Sequence, residues 1–253
     1  MEYLTVEEAR NLTGLRLVLT RGVPGPWGEA AKAIFRLRRV DYVPVQQLAG
    51  DTNPELVEWT RHRNAPIALY DNEPPRVRWL ELLDLAERLG SGPSLVPDNL
   101  SDRIFMVGLI NEIAGERGMG WNARLLMFHA SILAQGEEAS KNPMYAEYQY
   151  DAEALEASAI KVEGFLDFLA SHIKGQSGNG STFLVGNQLT AADVYWACFS
   201  NMLEPLPPEK CPAPKGLRDI WGVLAKSIPG YDPVLIEHRD RILTDYFELP
   251  LDF

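Results

Sequence analysis

Cysteine and histidine are both scarce in this chain of 253 residues, which has two cysteines and four histidines. Two cysteines are too few for the disulfide framework of a small secreted domain or for a multi-cysteine zinc site. The histidines stand at positions 62, 129, 172 and 238, and they form no His-x-x-x-His ligand pair. The sequence therefore predicts no metal site.

Basic charge is also in short supply. Lys and Arg together number 24 against 35 Asp and Glu, which gives a formal net charge of −11. Proteins that bind nucleic acid across their whole surface need a basic surface to neutralise phosphates. We therefore expect no nucleic-acid partner.

Long apolar runs are missing as well. A typical apolar run, VGLI at 107–110, is broken at once by Asn111 and Glu112, whereas a membrane span needs about 20 apolar residues. The first twelve residues are acidic and lack the basic start and apolar stretch of a secretory signal. These absences predict a soluble, cytoplasmic protein with no membrane partner.

The composition is that of a folded protein, since 46% of the residues are hydrophobic. A chain of this length makes one large domain or two small ones. The stretch LGSGPSLVPDNLSD at 89–102 has the Gly and Pro content of a linker. We predict a first domain at 1–89, a linker at 90–101 and a second domain at 102–253.

The first domain alternates between strand and helix patterns. Pro44 marks the second strand as an edge strand, and Pro26 suits the first position of a helix. The alternation, with a proline at the entry of the third strand, outlines an α/β thioredoxin-like domain. In that fold the X-Pro bond before the third strand is cis, so we expect a cis bond between Ala65 and Pro66. The predicted strands lie at 15–20, 41–48 and 64–71, and the predicted helices begin at Pro26 and span 53–62 and 77–90.

The second domain reads as entirely helical, with apolar residues at helical spacing in several long stretches. Thr190 and Asp193 have the spacing of a capping box, and the helix that follows is apolar on almost every side. Such a helix is expected at the centre of a domain. The apolar tail YFELPLDF at 246–253 is expected to pack on this second domain.

The stretch FLVGNQLTAADVYWA at 183–197 resembles the (F/Y)-L-x-G-x-x-x-(S/T)-x-A-D signature of the C-terminal domain of glutathione transferases. Together with the thioredoxin-like first domain and the linker, the resemblance covers most of the chain. It implies the glutathione transferase fold, an α/β thioredoxin-like domain followed by an all-α helical bundle. By the same resemblance Thr190 and Asp193 are structural residues.

The resemblance also implies where a glutathione thiol would be activated, at the end of the first strand and the start of the next helix. The family's Cys-Pro-aromatic or Ser-Pro-aromatic motif corresponds here to Gly25, Pro26 and Trp27, so the nucleophile is absent. The Thr20 hydroxyl and the Arg21 charge are the candidate catalytic groups. An ordinary strand-end residue and a solvated loop charge are the alternative interpretations of these two.

Further glutathione contacts are implied at Ala65 and Pro66 through main-chain pairing. The family's acidic-Ser pair, which holds the γ-glutamyl group, is missing, and the corresponding residues here are Arg76, Arg78 and Trp79. The arginines can pair with a carboxylate, and Glu73 is the nearby candidate for the ammonium. Eleven of the twelve cations in residues 1–89 are arginines, which indicates either an acidic ligand or merely solvated helix faces.

For the electrophile, the resemblance points to the first helices of the second domain, where the candidates are Trp121, Arg124 and Phe128. Helix packing is the alternative interpretation of these three. The tyrosines of NPMYAEYQYD, at 145, 148 and 150, are expected to be packing or surface aromatics.

Two functions compete at this stage. The first is a cytoplasmic glutathione transferase-like enzyme of detoxification, with glutathione as cosubstrate and small apolar electrophiles as substrates. The second is a non-catalytic binding or scaffold protein of the same fold, which the missing nucleophile and the missing acidic-Ser pair favour. The resemblance also implies a homodimer.

Overall fold

A computed structural model describes residues 1–136, 138, 141, 144–227 and 230–253 of the chain. The chain divides into two compact units, Met1–Leu95 with Pro250–Phe253, and Val96–Leu249. Across the described residues, no helix combines the length and the apolar character that a membrane crossing requires.

The first unit is a small mixed sheet with helices on both sides. Its strands lie in the order β2-β1-β3, with β1 parallel to β2 and antiparallel to β3. The edge position predicted for β2 from Pro44 is confirmed. In chain order the elements are α1 (Val6–Ala9), β1 (Leu15–Thr20), α2 (Pro26–Leu37), β2 (Val43–Gln47), α3 (Pro54–Thr60), β3 (Ile67–Tyr70) and α4 (Trp79–Leu89).

Alternation along the strands divides the core of this unit between the two faces of the sheet. Val18, Val45 and Ile67 share one face and pack with Leu56 of α3. Leu19 points to the opposite face, where it packs against α2. A Cβ placed on Gly28 of that helix would lie 3.5 Å from the Leu19 side chain. This close packing fixes the start of α2 against the end of β1.

Two arginines of this unit are buried and hold loops in place. The Arg16 guanidinium donates to the carbonyls of Leu12, Gly14 and Asp71. The Arg38 guanidinium donates to the carbonyls of residues 87, 90 and 92, at the end of α4 and just beyond it. These two side chains satisfy buried carbonyls, so they do not belong to the set of arginines available to an acidic ligand.

The Ala65–Pro66 peptide bond is cis, as predicted. A fourth strand is reduced to a single antiparallel bridge between Ala68 and Arg76, whose main-chain groups exchange two hydrogen bonds of 2.9 Å. The predicted thioredoxin-like unit is therefore confirmed in its order and topology.

The second unit consists of helices, which confirms the predicted fold class. Its elements are α5 (Leu100–Ala114), α6 (Met119–Gln135), α7 (Met144–Glu147), α8 (Ala152–Gly178), α9 (Ala191–Phe199), a 3₁₀ turn (Ser200–Met202), α10 (Lys215–Ser227) and α11 (Val234–Tyr246).

Helix α9 lies at the centre of this unit, and all nine of its residues are buried. The Asp193 carboxylate accepts hydrogen bonds from the N–H and hydroxyl of Thr190, at 2.9 and 3.0 Å, and from the N–H of Leu184, at 2.8 Å. His238 of α11 contacts the same carboxylate at 3.1 Å. The predicted capping box is thus also the point at which α11 is joined to α9.

The end of the chain lies elsewhere than expected. The expectation that 246–253 packs on the second domain agrees with the placement of 246–249 but is wrong for Pro250–Phe253, which belong to the first unit. Leu251 is buried, and the Lys32 ammonium on α2 donates to the Asp252 carbonyl. The apolar character of the tail predicts that it packs against the protein, but composition alone does not show which hydrophobic core it packs into.

Candidate functional site

The sheet register brings the predicted residues of the first unit to one end of the sheet. The β1–β3 pairing ends at Val18 and Ile67, so Thr20 lies two residues beyond it at the end of β1, and Ala65 lies two residues before it at the entry of β3. Arg76, which bridges to Ala68 of β3, lies two residues before Arg78, the N-cap residue of α4. The end of β1 and the start of β3 therefore lie side by side, next to the start of α4.

Thr20 is half-buried at this end. Its hydroxyl makes no hydrogen bond within the part of the chain that the structure describes, while its carbonyl accepts the N–H of Val23 at 3.2 Å. This turn passes through Gly22, whose φ of +73° favours glycine. The turn leads the chain directly from β1 into α2.

Arg21 is exposed, and two contacts with β2 fix its position. Its N–H donates to the Gln47 carbonyl at 3.0 Å, and its guanidinium donates to the Gln46 side chain at 3.1 Å. The Arg21 charge therefore lies beside β2, one residue beyond the Thr20 hydroxyl.

Helix α2 begins without a side-chain cap. Gly25 is its N-cap residue, with φ −66° and ψ 138°, and Pro26 occupies the first helical position as predicted. A Cβ placed on Gly25 would meet no atom within 4 Å. The first-turn N–H groups of α2 and the positive end of its dipole favour an anion at this point. Trp27 is half-buried in the same turn.

The segment between β3 and α4 contains a compact ion cluster. The Glu73 carboxylate accepts from Arg76 at 3.1 Å and from Arg88 at 2.6 Å, and Arg88 also lies over the Tyr70 ring at 5.6 Å. Arg76 donates in addition to the Pro74 carbonyl at 2.7 Å. Glu73, the candidate partner for a ligand ammonium, is thus shared between two arginines.

Arg78 is exposed at the N-terminus of α4, and Trp79 is half-buried at its first position. The N–H groups of Val77 and Arg78 both donate to Glu81 at 3.0 Å. Burial alone would raise the pKa of Glu81, but these two hydrogen bonds and the charges of Arg78 and Arg76 outweigh it and lower the pKa. The start of α4 is therefore capped by Glu81, and Arg78 is exposed to solvent.

The predicted electrophile residues belong to the second unit, where all three lie on one face of α6. Phe128 is only 8% exposed, and its ring stacks on Tyr145 with centroids 4.3 Å apart. Trp121 contacts the Tyr148 ring at 4.4 Å, and Arg124 is half-buried between the two positions. The tyrosines expected to be packing or surface aromatics are thus packing partners of the residues predicted to bind substrate.

The sequence analysis did not predict the buried carboxyl group of the first unit. Glu29, in the first turn of α2, is buried and paired with Lys32 at 2.9 Å. Burial raises the pKa of Glu29 despite this ammonium, and nearby Asp252 raises it further. The same two carboxylates add to the effect of burial on Tyr3, whose pKa rises to about 12. The i,i+3 Glu–Lys spacing was visible in the sequence, but its burial beneath the tail was not.

Comparisons with known proteins agree with this architecture. Residues 123–219 match the family model described as "Glutathione S-transferase, C-terminal domain". A search of curated proteins by sequence finds no match.

Among solved structures, a Tau class glutathione S-transferase from mango is 19% identical with a TM-score of 0.56, covering 92% of this chain and 89% of that one. A glutathione S-transferase from Methylobacillus flagellatus with glutathione bound is 13% identical with a TM-score of 0.63, covering 91% and 95%. Ure2p in complex with glutathione is 16% identical with a TM-score of 0.55, covering 90% and 98%. Residues 123–219 thus form a glutathione S-transferase C-terminal domain, and the chain as a whole has the glutathione transferase fold.

Proposed function

We propose that this protein is a glutathione transferase-like enzyme that joins the thiol of glutathione to small apolar electrophiles. The observation that carries the proposal is that the Thr20 hydroxyl, which has no hydrogen bond among the described residues, lies at the same end of the sheet as the start of α2 and the Ala65–Pro66 segment. Two of the structural relatives described above were solved with glutathione.

Glutathione supplies the nucleophilic sulfur in this scheme. A free cysteine thiol has a pKa of about 8.5, so a site that works at neutral pH must stabilise the thiolate. The Thr20 hydroxyl donates a hydrogen bond to the sulfur, and the first-turn N–H groups of α2 add the positive end of the helix dipole. Arg21, held beside β2, contributes a positive charge.

At the other end of the ligand, Arg78 is the best-placed group for a glutathione carboxylate. Its guanidinium is exposed, whereas that of Arg76 is engaged by Glu73 and the Pro74 carbonyl. Ala65 offers main-chain pairing, and Trp79 lies next to Arg78. Because Glu73 is already neutralised by two arginines, we expect the ligand ammonium to be bound weakly.

The proposal is tested by calorimetric titration of glutathione at pH 7 and by conjugation kinetics with an aromatic electrophile. We expect Thr20→Val, which keeps the shape and removes the hydroxyl, to lower kcat/KM about 10- to 100-fold, the value of a hydrogen bond to a charged group. Thr20→Ser should restore most of the activity. Thr13→Val, at an exposed position of the same unit, is the matched control and should behave as the parent protein.

A second candidate is the non-catalytic binding protein of the same fold. The occupied Glu73 carboxylate and the glycine at the family's nucleophile position favour it. Glutathione binding without turnover, unchanged by Thr20→Val, would establish this alternative. The absence of both binding and turnover would reject the two proposals together with the site.

We also propose a homodimer that uses α5. Leu100 and Ile104 are 61% and 64% exposed, and with Gly108 they form an apolar stripe along one side of this helix. Ile104→Glu should convert a dimer into a monomer in light scattering, whereas Glu112→Gln on the same helix should not.

We place the protein in the cytoplasm, where its two buried cysteines would remain thiols.

A further inference from the structure

The face of α6 that carries Trp121 and Phe128 is covered by the chain itself. Tyr145 stacks on Phe128 at 4.3 Å with an interplanar angle of 23°. Tyr148 lies 4.4 Å from the Trp121 ring and meets Phe128 edge-on at 5.4 Å. Two rings of one short segment thus occupy the apolar surface that a planar ligand would need.

The segment is held by hydroxyl hydrogen bonds at its edges and by the burial of Tyr145, which is 8% exposed and packs with Leu125 and Phe128. The Tyr150 hydroxyl is 2.9 Å from His129 Nδ1, and the Tyr145 hydroxyl donates to the Phe128 carbonyl at 3.3 Å. Burial raises the pKa of both tyrosines, so both hydroxyls are protonated and able to donate at neutral pH. Tyr148 and Tyr150 remain partly exposed.

The backbone of the segment is strained at one point and anchored at another. Gln149 adopts φ +53°, a conformation that costs free energy in any residue except glycine. Immediately afterwards, Asp151 caps α8 by accepting the N–H of Ala154 at 2.7 Å. The strained Gln149 therefore lies two residues before the capping residue of α8, at the boundary between this segment and that helix.

We propose that residues 145–150 form a displaceable lid, the tyrosine lid, which closes the apolar face of α6 until an aromatic ligand competes with it. The inference rests on the proposed function, because that function makes Trp121 and Phe128 the electrophile face. Exchange of one aromatic ring for another preserves the stacking contacts, so ligand binding replaces what lid opening removes. The Tyr150–His129 hydrogen bond is the latch of the lid.

With a lid of this kind, the apparent dissociation constant for an apolar ligand equals the intrinsic constant divided by the fraction of molecules in which the lid is open. The test is a fluorescence titration of the full-length protein with 1-anilinonaphthalene-8-sulfonate in the absence of glutathione. We expect Tyr148→Ala to lower the apparent dissociation constant about tenfold. Tyr148→Phe keeps the ring and should bind the dye as the parent protein does, and naphthalene should displace the dye from both variants.

Equal dye affinity in Tyr148→Ala and the parent protein would overturn the lid, as would an equal gain in Tyr148→Phe. Cooperative urea unfolding of each variant distinguishes a specific site from dye bound to a loosened core. If Tyr148→Ala loses that cooperativity, Tyr150→Phe decides, since it keeps every ring and removes only the latch. It should lower the dissociation constant about threefold, and an unchanged value would refute the lid.

These outcomes are separable from those of the proposed function, because the dye titration involves no glutathione. Loss of the Thr20 effect with the lid effect intact would reject the transferase chemistry and keep the lid. The reverse result would keep the chemistry and reject the lid.

Discussion

Gly25 stands where the resemblance to glutathione transferases predicts a Cys or Ser, and the difference is one of chemistry rather than of space. Its φ of −66° is ordinary for any residue, and a Cβ there would meet no atom within 4 Å. Three residues earlier, Gly22 has equal room but a φ of +73°. The two glycines therefore form a matched pair for substitution.

We expect Gly25→Ser to leave the free energy of unfolding unchanged or to raise it by a few tenths of a kcal/mol, because serine caps a helix slightly better than glycine. Gly22→Ser should lower it by about 1 kcal/mol through its positive φ. Urea denaturation measures both. If glutathione binds as proposed, Gly25→Ser should also raise conjugation activity, and an equal stability loss in both variants would contradict the local geometry.

Glu29 gives the stability of the first unit a definite pH dependence. Its pKa is raised by burial in the folded chain, so the folded state binds the proton more readily than the unfolded state. Stability from this group is therefore fully present below its ordinary pKa of about 4.5 and is lost as the pH rises through the raised value.

The measurement is urea unfolding between pH 4.5 and 8 in the parent protein and in Glu29→Gln. We expect the parent protein to lose stability relative to the variant as the pH rises. Glu55→Gln, at an exposed position of α3, should follow the parent protein at every pH. A difference between the parent protein and Glu29→Gln that does not vary with pH would refute the role of Glu29.

At the scale of the element, periodicity predicted β1, α2 and α9 well, because each has a strong local pattern. The four-residue helices α1 and α7 were not predicted, since so few residues carry little periodic signal. Helix α1 does carry one local signal, the capping box between Thr5 and Glu8, and its Val6 and Ala9 pack in the core of the first unit.

Helix α9 depends on one carboxylate. Asp193 is fully buried. Its carboxylate accepts hydrogen bonds from the N–H groups of Leu184 and Thr190 and also contacts His238. We expect Asp193→Ala to cost about 3–5 kcal/mol, because it leaves several buried donors without an acceptor. Asp193→Asn should cost less, since one acceptor oxygen remains.

The check is urea denaturation followed by far-ultraviolet circular dichroism. Asp245→Ala, at an exposed position of α11, is the control and should lie within about 0.5 kcal/mol of the parent protein. A similar small loss for Asp193→Ala would show that the capping box does not hold α9 in place.

At the scale of the whole molecule, the chain returns to its first unit after completing the second. Leu251 is buried there, and Lys32 binds the Asp252 carbonyl. The tail also brings the Asp252 carboxylate close enough to raise the pKa of Glu29. The stability of the first unit therefore depends on residues that follow the second unit in the sequence.

We expect Leu251→Ala to lower the stability of the first unit by about 2–3 kcal/mol, the cost of truncating a buried leucine. Hydrogen exchange read by mass spectrometry assigns the loss to peptides of α2 and β1. Leu12→Ala, at a position that is 40% exposed, should change protection little. Weakened protection confined to α8 and α11 would contradict the tail assignment.

The sequence by itself determined the fold class, the strand and helix order of the first unit and the capping box of α9, because these follow from local hydrophobic periods and from residues that fix backbone angles. It also identified the residues at the sheet end, since strand ends follow from the same pattern. Only the tertiary structure decided which arginines are engaged, as for Arg16 and Arg38, and which tyrosines cover Phe128. Those outcomes depend on contacts between residues far apart in the chain, such as Lys32 with Asp252, and no local pattern encodes such pairings.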